Sequence, residues 1–235
     1  MIATIHQPDF MPWLGFFKKL TKVDTWIVLD HVTNNPRDAA FWGRRVKILV
    51  NRKPFWLSIP LKKPEEPSRI SIPIKEMKID RSNQMKYENQ LKTITQSYCK
   101  APCFSEILPA IQEYYSNYCE SLAEKNLLFI QRIFEGLKMK LQIVKSSELG
   151  TTTSSTAMLV ELLKTVGADC YICGDGAQGY QKDSLFMENK ILLQYNNFTH
   201  PKYPQSGSRE FVPGLSIIDA IANIGFKQTN LVLKN

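Results

Sequence analysis

The 235-residue chain lacks several features that would settle its class at once. It has no run of about 18 apolar residues, so no membrane-spanning helix is expected. Met1–Gln7 shows no basic stretch leading into an apolar one, so no secretory signal is expected and the cytoplasm is the default setting. A serine nucleophile elbow, a phosphate-binding Walker loop and an HExxH zinc motif are all missing. Ser146, Ser147 and Thr151–Thr153 have no base beside them in the sequence. Cysteine is sparse and odd in number, at Cys99, Cys103, Cys119, Cys170 and Cys173, which argues for reduced thiols. The Cys170-x-x-Cys173 pair falls inside an apolar, strand-like run, whereas redox pairs of this spacing open a helix and zinc sites want a second ligand pair. Neither a metal nor a cofactor is expected.

What is present is an ordinary globular composition with a basic excess. The hydrophobic fraction of 43% and aromatic fraction of 11% supply ample core, which excludes global disorder. The net charge of +8 favours anionic partners: phosphates, nucleotide-linked sugars or, less favoured here, nucleic acid. The excess is concentrated in residues 37–63, where Arg37, Arg44, Arg45, Lys47, Arg52, Lys53, Lys62 and Lys63 face Asp38 alone.

The chain opens with a short apolar run at Ile2–Ile5, a loop at His6–Pro12, a helical spacing of Trp13, Leu14, Phe16, Phe17 and Leu20 with Pro12 in its first turn, and a second apolar run closing on Asp30. That is the pattern of a parallel βαβ unit. Alternation over Phe41–Val50 and Pro54–Leu61 predicts a hairpin around Asn51-Arg52-Lys53, followed by a loop at Lys62–Ser68 and an extended piece at Ile70–Ile74. Helices are expected over Gln84–Tyr98, Ser105–Tyr118 and Glu120–Lys138, the last ending near Gly136. Strands at Leu141–Val144, Asp169–Cys173 and Ile191–Tyr195 then alternate with helices at Ser155–Val166, stopped by Gly167, at Lys182–Asn189, and at Ser216–Ile224, stopped by Gly225.

Polar residues cluster where such folds place sites. His6, Gln7, Asp9 and Trp13 occupy the first strand-to-helix turn, and ligands of open α/β sheets bind outside the carboxyl ends of strands. His6 is the candidate general base. Asp30 ends the second strand; His31, next to it, is expected to point the other way. Arg45 and Lys47 share a hairpin face and suit a diphosphate. Gly174, Gly176 and Gly179 follow a strand in a tight loop with Tyr180, where the negative charge of Asp175 disfavours phosphate. His200, Tyr203 and Gln205 lie in a loop between Pro201 and Pro204, and Asp219 and Asn223 share a helical face, with Asp219 a candidate orienter for His200.

The stretches IHQPDFMPWLGFFKKL, DTWIVLD, Ser146-Ser147, VGADCYICGDGAQGY, NNFTHPKYPQ and FVPGLSIIDAIANIG together resemble the WbqC-like protein family, in order along the whole chain. The resemblance carries over to His6, Gln7, Pro8, Pro12, Trp13, Gly15, Asp30, Arg45, Lys47, Gly174, Tyr180, His200, Tyr203, Gln205, Asp219 and Asn223. Two places depart from the family pattern: Asp30-His31 stands where an aspartate pair is common, and the glycine loop carries Cys173 and Asp175. The resemblance implies a role in bacterial O-antigen or other surface-polysaccharide synthesis. The fold expected is α/β, one domain over residues 1–235: a layered, mostly parallel Rossmann-like sheet with a β-hairpin and a helical section inserted at 80–140. The function expected is transfer of an acyl or aminoacyl group to a nucleotide-linked amino sugar, with His6, Asp30 and His200 catalytic and the other polar residues binding substrate. A non-catalytic binding module and a nucleotidyl or tRNA-dependent transferase are the alternatives.

Overall fold

The computed structural model describes residues 1–64, 66, 70–208 and 210–234; part of the loop expected over Lys62–Ser68 lies outside them. In chain order the elements are β1 (Ile2–His6), α1 (Leu14–Leu20), β2 (Thr25–Val28), β3 (Thr33–Asn34), β4 (Arg45–Val50), β5 (Lys53–Ser58), β6 (Ile72–Pro73), α2 (Gln84–Tyr98), α3 (Phe104–Ser116), α4 (Leu122–Leu137), β7 (Gln142–Lys145), α5 (Ser155–Thr165), β8 (Cys170–Cys173), α6 (Asp183–Glu188), β9 (Leu192–Tyr195) and α7 (Ile217–Lys234). They form a mixed α/β architecture divided into two compact units. The first unit comprises Met1–Pro8, Gly15–His31 and Lys140–Thr199; the second comprises Asp9–Leu14, Val32–Met139 and His200–Asn235.

The first unit is a layered α/β sheet of Rossmann-like type. Its five strands run in the order β7-β2-β1-β8-β9, and every neighbouring pair is parallel. The central strands β2 and β8 are buried along their whole length, as a parallel sheet covered on both faces requires, so their sequences are unbroken apolar runs. Strand alternation splits the layers. Ala3, Ile5 and Ile27 pack with Val160, Leu163 and Phe186 of α5 and α6, whereas Trp26 turns to Phe16 of α1 on the other face. Helix α5 ends in a Schellman turn. Gly167 sits at φ 75°, Ala168 N–H donates to Leu163 O at 2.8 Å, and Gly167 N–H to Lys164 O at 2.9 Å, closing the carbonyls the helix leaves open.

The second unit holds the hairpin β4–β5, the short antiparallel pair β3–β6, and the helices α2, α3, α4 and α7. The hairpin turn places Asn51 and Arg52 at φ 48° and 66°, the double left-handed turn that matches strand twist. Two expectations need correction here, the start of α1 and the stop at Gly225. Helix α1 begins at Leu14, not Pro12: Met11 adopts φ 43°, Pro12 O accepts from Ile217 N–H at 2.8 Å, and Trp13 forms a bridge with Ser216. Helix α4 ends at Leu137, near Gly136 as expected, with Lys138 as its left-handed cap at φ 54°; a Cβ at Gly136 would lie 2.3 Å from the Phe226 ring, so that glycine serves close helix packing. Gly225 breaks the last helix without stopping it. At φ 73° it kinks α7, and Glu106 restarts the helix by accepting the Phe226 N–H at 2.8 Å.

Candidate functional site

In the first unit the sheet order reverses between β1 and β8. From β1 the chain moves to β2 and β7 on one side, then returns to β8 and β9 on the other. That is the topological switch point, where crossovers leave on opposite faces and a crevice opens at the carboxyl ends of the strands. The β1–β8 ladder runs through Ile2↔Cys170 and Ala3↔Tyr171; beyond it, Thr4 Oγ1 donates to Ile172 O at 2.6 Å. His6 and Gln7 therefore end one side of the switch point, and Gly174 ends the other.

His6 is partly buried, edge-on to Phe16 with ring centroids 5.0 Å apart. Its Nδ1 lies 3.0 Å from Gln7 O, which only accepts, so Nδ1 carries the proton and Nε2 the lone pair. Desolvation first, and the Lys19 ammonium second, pull the imidazole down to about 3. The ring is neutral at physiological pH, through burial and a buried lysine. Lys19, 2% exposed, escaped sequence reasoning, because a lysine in the last turn of an amphipathic helix usually faces water.

Gly174 is extended (φ −76°, ψ 155°), and nothing lies within 4 Å of the place a Cβ would take. The charge of Asp175 is occupied: its carboxylate accepts Asn197 N–H at 2.6 Å and Phe198 N–H at 3.0 Å. Tyr180 is exposed. Cys170 and Cys173 are buried thiols on β8, three residues apart and so on opposite strand faces; burial raises Cys173 to about 11.

Asp30 and His31 do not point apart. Chain pairing is regular only to Val28, and both residues reach Ser146. Ser146 Oγ donates to Asp30 Oδ1 at 3.0 Å and stands 2.6 Å from His31 Nδ1. Ser147 donates to the same carboxylate through its N–H at 2.9 Å and its hydroxyl at 2.7 Å. Ser146 thus has a base beside it, 115 positions away in sequence.

In the second unit Arg45 and Lys47 flank one ring. The Arg45 guanidinium lies 3.7 Å and the Lys47 ammonium 4.9 Å from the Trp56 centroid, and Trp42 stands 5.5 Å from Trp56. Register pairs Lys47 with Trp56 directly across the hairpin, which is why the face is both cationic and aromatic. Other basic residues of the 37–63 segment gather elsewhere. Arg37, Arg44, Lys62 and Lys63, with Lys86, line a groove of about 710 Å³ that has no acidic residue among its described walls.

The remaining candidates in this unit form an internal network. Tyr203 OH and Gln205 Nε2 donate to Asp219 Oδ2 at 2.7 and 2.8 Å, Ser206 N–H to Asn223 Oδ1 at 2.6 Å, and Asn223 Nδ2 to Asp219 O at 2.7 Å. Gln205, Asp219 and Asn223 are buried, so these groups pin the 200–214 loop onto α7. Held in that loop, His200 accepts the Gly214 N–H through Nε2 at 3.0 Å and packs its ring 5.3 Å from Trp13, while desolvation lowers its pKa. Asp9 is buried.

A doubly wound α/β unit with polar groups at its switch point is the class these elements define. The WbqC-like protein family model matches residues 7–231, and the chain belongs to that family. It is also similar to the Uncharacterized protein Rv1507c of Mycobacterium tuberculosis, 24% identical over 227 residues, covering 95% of this chain and 94% of that protein. No solved structure matches the chain. No helix among the described residues is long and apolar enough to cross a membrane.

Proposed function

We propose that the protein is a transferase of bacterial surface-polysaccharide synthesis. In this reading it binds a nucleotide-linked amino sugar at the carboxyl edge of the first unit's sheet and moves an acyl or aminoacyl group onto it, in the cytoplasm. The observation that carries the reading is the switch point itself: His6, Gln7 and Gly174 end adjacent strands where doubly wound sheets take nucleotides. Family membership supports the setting. With its pKa pulled down to about 3, His6 serves as a neutral hydrogen-bonding partner for a ligand oxygen and is too weak a base for proton abstraction near pH 7. Gly174 lets the ligand approach the backbone, and the exposed Tyr180 follows it in the same loop. In the second unit, the Arg45–Lys47–Trp56 platform suits an anionic, ring-bearing group such as a sugar diphosphate. Trp13 and His200 supply further contacts there, and Tyr203, Gln205, Asp219 and Asn223 act by shaping the His200 loop.

The test is calorimetric titration of the full chain with UDP-N-acetylglucosamine. A Cβ at Gly174 meets nothing within 4 Å and φ −76° accepts it, so Gly174→Leu projects an apolar side chain from the strand end toward the crevice, and a melting curve checks that the variant is folded. Loss of binding with an unchanged melting temperature is expected; binding at wild-type affinity refutes the site. The basic groove of about 710 Å³ favours a second reading, a site for an anionic polymer such as RNA. Affinity for RNA that falls steeply with salt would support that reading, whereas a sugar diphosphate held by two cations gives a shallow slope.

A further inference from the structure

We propose that Thr151 is an acyl-accepting nucleophile, that His31 is its general base, and that Ser146 and Asp30 are positioning residues for that base. All four belong to the first unit. Strands β2 and β7 are parallel neighbours, in register to Val28↔Lys145. Their ends deliver Asp30-His31 and Ser146-Ser147 side by side.

The hydrogen bonds then fix the tautomer. Ser146 has one hydroxyl proton and donates it to Asp30 Oδ1 at 3.0 Å. The 2.6 Å contact between Ser146 Oγ and His31 Nδ1 therefore needs the ring nitrogen as donor, which leaves the lone pair on Nε2. The Asp30 N–H adds a second donor to Ser146 Oγ at 3.2 Å. Two groups face Nε2: Met158 Sδ at 3.1 Å and Thr151 Oγ1 at 3.4 Å. Met158 Sδ can only accept, which the Nε2–H of a protonated ring would satisfy; in the neutral ring set by Ser146, the group that can donate to Nε2 is the Thr151 hydroxyl. The chain Thr151–His31–Ser146–Asp30 is thus a hydroxyl, a base and an orienting pair, with the serine interposed between base and carboxylate. The 3.4 Å separation is the loose spacing typical of such pairs before substrate arrives.

The hydroxyl stands on an immobilised loop. Glu161 of α5 accepts the Thr152 N–H at 3.0 Å and the Thr153 N–H at 3.1 Å, together with the hydroxyls of both residues at 3.1 and 2.5 Å. These bonds, the Thr153 hydroxyl first, hold the Glu161 carboxyl below its ordinary value. Thr151 itself is partly exposed.

The step balances with an acyl thioester or activated ester as donor. Thr151 Oγ attacks the carbonyl carbon, a C–O bond forms, and the hydroxyl proton passes to His31 Nε2. The tetrahedral intermediate collapses, the bond to the leaving sulfur or oxygen breaks, and His31 returns the proton to the leaving group. An amine acceptor then attacks the carbonyl carbon of the Thr151 ester, a C–N bond forms as the acyl C–Oγ bond breaks, and the proton lost by the amine passes through His31 Nε2 to Thr151 Oγ.

The experiment uses the full chain, p-nitrophenyl acetate as the acyl probe, and peptide mass spectrometry as readout. One acetyl group on Thr151 is expected, with a rate that rises as an imidazole is deprotonated. Thr151→Val removes the label and Thr151→Ser keeps it. Ser146→Ala, folded by its melting curve, slows labelling by roughly 10²-fold and moves the pH midpoint, because the tautomer is no longer held; a purely structural serine would leave that midpoint in place. Label found only on lysines or the N-terminus, or labelling unchanged in Thr151→Val, overturns the proposal. The probe contains no nucleotide, so this outcome is independent of whether the switch point binds a sugar nucleotide.

Discussion

Replacing His6 by Asn isolates the electrostatic consequence of burying an imidazole beside Lys19. An Asn amide donates to Gln7 O much as Nδ1 does, at 3.0 Å in the native protein, but does not titrate in the accessible range. The native imidazole is pulled from 6.5 down to about 3, by desolvation first and Lys19 second. The unfolded chain therefore binds a proton that the folded chain refuses. The stabilising contribution is complete above pH 6.5 and is lost as the pH falls from there toward 3. At pH 5 the full shift corresponds to about 2 kcal/mol, which the ring's residual exposure to solvent reduces to about 1–2 kcal/mol. Urea unfolding at pH 8 and pH 5 measures it. The wild-type protein should lose about 1–2 kcal/mol more than His6→Asn between the two. Heteronuclear NMR of the three imidazoles should show the His6 resonance flat from pH 8 to pH 5. Parallel losses in both proteins, or a His6 resonance titrating near 6.5, would refute the reasoning, because a protonated His6 beside Lys19 contradicts the burial that holds it neutral.

Ala at Gly225 should cost about 1–3 kcal/mol, since φ 73° is strained for any side chain and the new Cβ would stand 2.7 Å from Glu106 Oε1; denaturant midpoints check this. Gly136→Ala should cost a similar amount by pushing the Phe226 ring off α4, and combining it with Phe226→Leu should recover part of the loss. Trp56→Ala should leave melting within a few degrees of wild type yet weaken binding of inorganic pyrophosphate to the second unit's platform, measured by calorimetry, as Arg45 and Lys47 lose their shared ring. Lys125, 1% exposed, donates to Asn117 O at 2.8 Å, and burial lowers its ammonium to about 8. Its burial penalty is full below pH 8 and lifts as the pH approaches 10.5, so wild-type stability should rise across that window relative to Lys125→Met.

Local pattern was enough for the elements whose driving force is local. The apolar runs of β1, β2 and β8 announce strands buried on both faces, alternation announces the β4–β5 hairpin, and Gly167 marks the end of α5, because each depends on neighbours a few residues away. The family was legible too, since HQP…PWLG and the later blocks recur in order. Tertiary structure decided what depends on distant partners. Trp13 pairs with Ser216, and that pairing delays α1 from Pro12 to Leu14; Glu106 reaches Phe226 and turns a helix stop at Gly225 into a kink. The neutral state of His6 follows first from its own burial and second from the buried Lys19 beside it, quantities no local pattern carries. Strand alternation carried past Val28 would send His31 away from Asp30. The ladder ends there, and a serine delivered by a neighbouring strand brings the two side chains to one hydroxyl. Strand periodicity governs side-chain direction only while the backbone remains paired. Beyond the last hydrogen bond of a strand, where sites of this fold are built, direction is set by contacts made across the sheet edge.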